Sequence, residues 1–394
     1  MFQINKKDLS LIFIILFIAF SFRVMYLKDY KNTKAYPVLA HSDSYSYLVW
    51  AKDIVSGDFG SKAFMKWPLY AYFLAFLFQL FGENILLIYS LQFILGALNC
   101  IFIYIIAREI FDRRIGFVAG LLCAWYGLFV FYEGLLIYTG LSLFLNSLLF
   151  LFILNIKDNP GRKNLFWIGI FLGICTIAQA SIAIFGILAI GWIIQLKKLT
   201  PIKTLINFSF FILGLFMVIG GVTLRNYLAE KDFVLIAGNI GINFYSGNNP
   251  RATGTFFCPA DITLNQEDMF RDSGIIARYE TGKDLKTSGV SNFWFNKAIE
   301  FIREDRVGYL KLLFKKITYC LSQYEFIHDI EYQLIAGKIG IPKIMFKDLS
   351  FLLPFGLLGM LIGVRRFKDS ALLYIFLIAV SSSIVMFFIA ARYR

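Results

Sequence analysis

Apolar residues fall along this chain in blocks of about twenty, the length of helix that crosses a hydrocarbon core, and lysine or arginine closes most of the blocks. The first block, roughly 9–27, follows Asn5-Lys6-Lys7. Blocks at about 85–107, 114–132 and 136–156 come next, divided by the basic turn at Arg108, Arg113 and Arg114 and by the turn Tyr132-Glu133-Gly134. The stretch 165–196 is too long for one ordinary span and has a polar middle, Gln179-Ala180-Ser181. Both of its flanks are basic, so it is read as two short helices joined by a turn near Gln179. Further spans are expected at about 204–222, 346–364 and 371–391, nine in all.

Between the first two blocks, residues 28 to about 84 are too polar to span, and so is the region from 223 to about 345. In the latter, Gly238, Gly241, Gly247, Asn248-Asn249-Pro250 and Gly254 punctuate turns, with a short strand expected at Phe233–Ile236. From Ser291 to Gln323, Phe293, Phe295, Ile299, Ile302, Leu310, Leu313 and Ile317 recur at helical spacing among lysines and arginines. That pattern predicts amphipathic helices on the membrane surface, broken near Gly308. The chain thus divides into a catalytic membrane module (1–222, with the loop 28–84), an external region (223–345) and two last spans (346–394). The fold class is an all-α polytopic membrane protein.

Composition agrees with this division. Of 394 residues 58% are hydrophobic and 16% charged, against about a quarter charged in soluble domains, and mean hydropathy is +0.68. The formal charge of +13 would suit nucleic acid, but its lysines and arginines sit at the ends of apolar blocks, so orientation in an anionic membrane explains them and no nucleic-acid partner is expected. Basic inner turns place the N-terminus in the cytoplasm and the long polar segments outside. The first block is read as a retained anchor rather than a signal peptide. Usage of Phe, Ile and Lys suits a bacterial plasma membrane. The five cysteines show no framework: Cys100, Cys123 and Cys175 lie in apolar blocks, while Cys258 and Cys320 are free to pair but need not. His41 and His328 lack metal-ligand spacing, so no metal is assigned, and dependence on a divalent ion is left open.

The candidate chemistry begins at residues 41–82. Asp43 stands among Ser42, Ser44, Tyr45, Ser46 and Tyr47, hydroxyls and rings that suit a sugar-facing surface. It reads equally as part of a helix N-cap. Glu133 emerges on the same external side, either as a second catalytic carboxylate, since two acids can divide base and stabilising roles, or as a solvated turn residue. Lys66, before Trp67-Pro68-Leu69-Tyr70, is an interfacial snorkelling lysine or a clamp for a lipid phosphate, with Arg225 at the end of the seventh span as its partner. Arg23 is expected to snorkel from the outer end of the first span.

In their order, these motifs resemble the membrane-embedded C-type glycosyltransferases of the family 39 kind, which include protein O-mannosyltransferases and lipid A aminoarabinose transferases. The elements are Asp43 in a Ser-rich loop, Lys66-Trp67-Pro68-Leu69-Tyr70, Leu80-Phe81-Gly82, the inner turn Phe111-Asp112-Arg113-Arg114, Tyr132-Glu133-Gly134, and Leu224-Arg225-Asn226-Tyr227 with Tyr245-Ser246-Gly247-Asn248-Asn249-Pro250. The resemblance implies a sugar donor on a polyprenyl phosphate, an external active site and a catalytic Asp43. It also implies Lys66 and Arg225 as phosphate ligands; Tyr45, Tyr47 and Tyr70 are read from the residues themselves as facing sugar or acceptor, and the acceptor is left open as glycan, lipid or protein. Two departures stand out: many relatives carry another acid where this chain has Tyr138-Thr139-Gly140, and a cation where it has Gln179. Arg392 and Arg394 match an Arg-x-Arg that relatives follow with a proline and further spans, so the chain is expected to be a fragment in which both arginines contribute to donor binding. The competing readings are a transporter or flippase, and a membrane scaffold whose external loop binds a partner.

Overall fold

The computed structural model describes residues 4–40, 42–196, 200–255, 266–320, 345, 349–366 and 369–387. Arg392, Arg394, His41, Cys258 and His328 lie outside the described residues. Every regular element among them is helical, and four helices are long and apolar enough to cross a membrane: α1 (Lys6–Tyr30), α4 (Ile85–Ile110), α7 (Tyr138–Ile156) and α10 (Pro201–Glu230). Shorter apolar helices stand at α3 (Leu69–Phe81), α9 (Ile182–Leu196), α15 (Leu349–Arg366) and α16 (Ser370–Phe387). The remaining elements are α2 (Asp43–Ser56), α5 (Arg113–Trp125), α6 (Gly127–Glu133), α8 (Arg162–Ala178), α11 (Ile240–Gly247), α12 (Gln266–Thr281), α13 (Thr287–Glu304) and α14 (Arg306–Cys320).

The long apolar block at 165–196 does fold as two helices. The chain turns at residues 179–181 between α8 and α9. The register of the next contact shows why. A Cβ on Gly169 would lie 2.1 Å from the Phe211 carbonyl oxygen, and one on Gly173 2.7 Å from Val218. Residue numbers rise together along α8 and α10, so the two run parallel, and α9 must carry the chain back between them. Glycines at the crossing let the backbones approach, the usual device where helices associate without a hydrophobic driving force.

Charged ties fasten α1 at both ends. At its start, Asn5 and Asp8 form a capping box, and the buried Asp8 carboxylate accepts from Tyr104 Oη at 2.6 Å and Arg113 Nε at 2.8 Å, with Arg108 Nη1 at 3.1 Å. The start of α1, the end of α4 and the start of α5 therefore share one end of the bundle. Fifteen residues on, about 22 Å along the axis, Arg23 makes the second tie. Arg23 does not snorkel: it is fully buried and paired with Glu133. The bundle core joins α1, α4, α5 and α7 to α10, while a second apolar cluster seats α2 and α3 on the outer part of α1 and α4, through Tyr26, Tyr30, Tyr70, Leu74, Tyr89 and Phe93.

Three further expectations are corrected. The block at 114–132 is not one helix; an extended Tyr126 separates α5 from α6. Phe233–Ile236 is no strand, because the Asn226 amide donates to the Val234 and Ile236 carbonyls and so removes ladder acceptors. The amphipathic stretch breaks at Asp305 rather than Gly308, since the Asp305 carboxylate accepts from Gly308 N at 2.8 Å, the pairing of an N-cap. Of its two helices, α13 buries its apolar side: Trp294 packs with Ile242 and Met269, and its indole donates to the Ser273 carbonyl.

Candidate active site

The site is assembled from α2, the segment 59–66 and the C-terminal end of α10. Ser42 caps α2 by accepting from Tyr45 N at 3.1 Å, which leaves Asp43 in the first turn, 9% exposed. The cap is therefore Ser42, not Asp43. Ser46, one turn beyond Asp43, accepts from Lys66 Nζ at 2.6 Å, and the ammonium stands 5.2 Å from the centre of the Tyr47 ring. Residues three apart on a helix hold their Cβ atoms about 5–6 Å from one another, so Asp43 stands one turn of α2 from the Ser46–Lys66 contact.

The aromatic surroundings are largely beneath that site rather than open to it. Tyr47 and Tyr70 are buried and meet edge to face at 5.2 Å, and Trp67 meets Tyr138 at 4.8 Å. Tyr47 and Tyr70 thus support Lys66 and are not presented to a ligand; Tyr45 is exposed. The Tyr70 hydroxyl donates to Gln92 Oε1, and Gln92 Nε2 donates to the carbonyls of Glu133 and Leu135 at 2.8 and 3.1 Å.

Lys66 and Arg225 line one cleft of about 400 Å³, together with Ser46, Trp50, Asp53 and Phe64. The two cations do different work. Arg225 Nη1 donates to the Lys62 carbonyl at 2.6 Å and Nη2 to those of Gly60, at 3.0 Å, and Phe59, while the guanidinium lies over the Phe64 ring at 3.9 Å. A guanidinium has five N–H donors, and here they are turned mainly on the loop. Asn226 accepts from Phe64 N at 3.0 Å, Glu230 from Ala63 N at 3.0 Å and from Thr287 N at 3.2 Å, and Gly238 N donates to the Phe64 carbonyl at 2.8 Å. The end of α10 thereby fixes the backbone of 59–64 just before Lys66. Burial raises the Tyr72 phenol above its usual range, and the neighbouring Arg225 charge offsets part of that rise.

Glu133 is placed differently from expectation. It is not at an exposed turn: its carboxylate is buried and accepts from Arg23 Nε at 2.7 Å and Nη2 at 2.8 Å. Space for that pair comes from Gly96, where a Cβ would lie 2.1 Å from the Glu133 carboxyl. An arginine inside an apolar block has to find a partner, and this one takes Glu133 away from the cleft. The acid that does line the cleft is Asp53, which the sequence reading passed over. Its signal was the spacing Ser46, Trp50, Asp53 (i, i+4, i+7), one face of a capped helix. Glu230 and Gln92 were missed as well. No three His, Cys, Asp or Glu side chains stand together as a metal site among the described residues.

Such a helical bundle, with apolar helices of spanning length and a cationic cleft at one end, defines a multi-pass membrane protein. Residues 65–221 match the family model described as dolichyl-phosphate-mannose-protein mannosyltransferase. The matched stretch opens one residue before Lys66 and closes within α10; Asp43 and Arg225 fall outside it, and Lys66, Tyr70 and Glu133 within. The matched stretch is less than half of the chain, and the match is a likeness to membrane glycosyltransferases that use a lipid-phosphate-linked sugar. No curated protein matches the chain.

Proposed function

We propose that this chain transfers a sugar from a polyprenyl-phosphate donor to an acceptor hydroxyl at the external face of a bacterial plasma membrane. What supports the reading is the contact of Lys66 with Ser46, one turn of α2 from Asp43, beside a cleft whose wall α10 holds in place. The bond from the anomeric carbon to the lipid phosphate breaks, and the acceptor oxygen forms the new bond. Asp43 takes or orients the acceptor proton. Lys66 meets the charge that develops on the leaving phosphate, where electrostatic stabilisation counts most. Arg225 acts mainly by holding residues 59–62, and its charge adds to the cationic cleft. Asp53 is an acceptor of sugar or substrate hydroxyls in that cleft, and Glu133 is a positioning residue that ties α6 to α1.

The distribution of charge supports the external orientation. Lys6, Lys7, Arg108, Arg113 and Arg114 gather at the end of the bundle where α1 starts and α4 finishes, opposite the cleft, and basic residues favour the cytoplasm. One observation favours the transporter reading instead, the buried Arg23–Glu133 pair, since intramembrane charges often mark transport paths. Mass spectrometry of polyprenyl-linked sugars and surface glycans, in cells with and without the protein, tests transfer, and release of free polyprenyl phosphate by the purified protein in nanodiscs separates transfer from transport. Transfer predicts loss of one glycan modification together with accumulation of its lipid-linked sugar; an unchanged glycan profile rejects it.

A further inference from the structure

Helix α14 has two unlike sides. One is built into the protein: Leu312 is buried, and the wholly buried Lys316 donates to Asn248 Oδ1 at 2.8 Å. The other carries Val307, Leu310, Phe314 and Ile317, spaced i, i+3, i+7 and i+10, all exposed, with Phe314 73% exposed. These four fall within about 80° of the helix circumference at 3.6 residues per turn, so they form one stripe. Lys311 and Lys315 border it, and both are exposed. The neighbouring α13 shows no such stripe because its large apolar residues are packed away.

The stripe lies outside the long apolar helices, yet α14 contacts α16, one of the apolar helices of the bundle. It is therefore held beside the membrane-embedded part of the chain with its apolar side uncovered. A contiguous exposed apolar row with basic borders is the composition of a helix that lies in the headgroup region. We propose that α14 is an in-plane anchor that docks on anionic phospholipid, with Phe314 and its neighbours at the acyl boundary and Lys311 and Lys315 against the phosphates. Its docking fixes the height of α11 and α13 relative to the cleft, through the Lys316–Asn248 bond and the α13–α14 contact.

The test places the photocrosslinking amino acid benzoylphenylalanine at position 314, and separately at the exposed Glu304 as a reference, in full-length protein in nanodiscs. Discs contain either phosphatidylcholine alone or phosphatidylcholine with phosphatidylglycerol. The expected result is a lipid adduct at 314 several times more abundant than at 304, and more abundant in the anionic discs. Lys311→Gln and Lys315→Gln should each lower the preference for anionic discs by up to about fivefold, the factor equivalent to ~1 kcal/mol per basic residue at an anionic surface. A yield at 314 no higher than at 304, equal yields in both kinds of disc, or an adduct with a second copy of the chain would overturn the proposal.

Discussion

The buried pair between Arg23 and Glu133 can be tested with numbers. The guanidinium and carboxylate make two charge-assisted hydrogen bonds at 2.7 and 2.8 Å, and both residues are almost wholly excluded from solvent. Hydrogen bonds to charged groups contribute about 1.5–3 kcal/mol each. Taking away one partner of a buried pair leaves a stranded charge and costs about 3–5 kcal/mol, while replacing both by apolar residues of similar size is often close to neutral. Arg23→Met alone and Glu133→Leu alone should therefore each destabilise the protein by about 3–5 kcal/mol. The double variant should recover most of that loss. Equilibrium unfolding in mixed micelles with rising SDS, followed by tryptophan fluorescence, measures all three. Additive losses, with no recovery in the double variant, would refute the account of the pair as one structural tie. Activity supplies the second reading. If Glu133 only positions α6, the folded double variant keeps sugar transfer within about tenfold of the original, whereas loss of a general acid or base typically costs about 10²–10⁴-fold.

Four further outcomes are expected. Gly96→Ala should disturb the same tie, because its Cβ would sit 2.1 Å from the Glu133 carboxyl, and it should lower stability more in the original than in the Arg23→Met/Glu133→Leu background. Lys66→Gln should raise KM for the lipid donor and reduce kcat with little change in acceptor KM, measured by donor titration at saturating acceptor. Asn226→Leu removes a carboxamide with three backbone partners and should loosen residues 62–66, seen as faster hydrogen exchange at Phe64. Asp53→Asn should shift KM for sugar or acceptor while sparing the rate at saturation more than Asp43→Asn does, checked by steady-state kinetics of both variants.

Local pattern carried much of the architecture. The length of the block at 165–196 and its basic flanks sufficed to place a turn at Gln179, and the run from Ser42 to Tyr45 pointed to a helix start, although the cap is Ser42 and not Asp43. Lys66 could be singled out because it precedes a proline and an aromatic helix. Pairings across the chain were not legible in the same way. Arg23 and Glu133 are 110 residues apart in sequence, and nothing near Glu133 tells a turn residue from a buried counter-ion. The clue lay at the other partner, an arginine inside an apolar block that has to be neutralised. Arg225 was legible as a cation at the outer end of a span, but its hydrogen bonds to three backbone carbonyls depend on where the 59–62 loop folds back. Tyr47 and Tyr70 illustrate the same limit: an aromatic-rich segment suits sugar contact, yet only packing decides which rings go inward.

The central claim is that Asp43 and Lys66 form a site for transfer from a lipid-phosphate sugar, and one measurement addresses it directly. Purified protein in nanodiscs is incubated with a polyprenyl-phosphate-sugar extract of the producing cells, and release of free polyprenyl phosphate is followed by mass spectrometry in the presence of cell-envelope acceptor. The account predicts steady release by the original protein and a loss of about 10²–10⁴-fold in a folded Asp43→Asn variant. Equal release by the two proteins would contradict it.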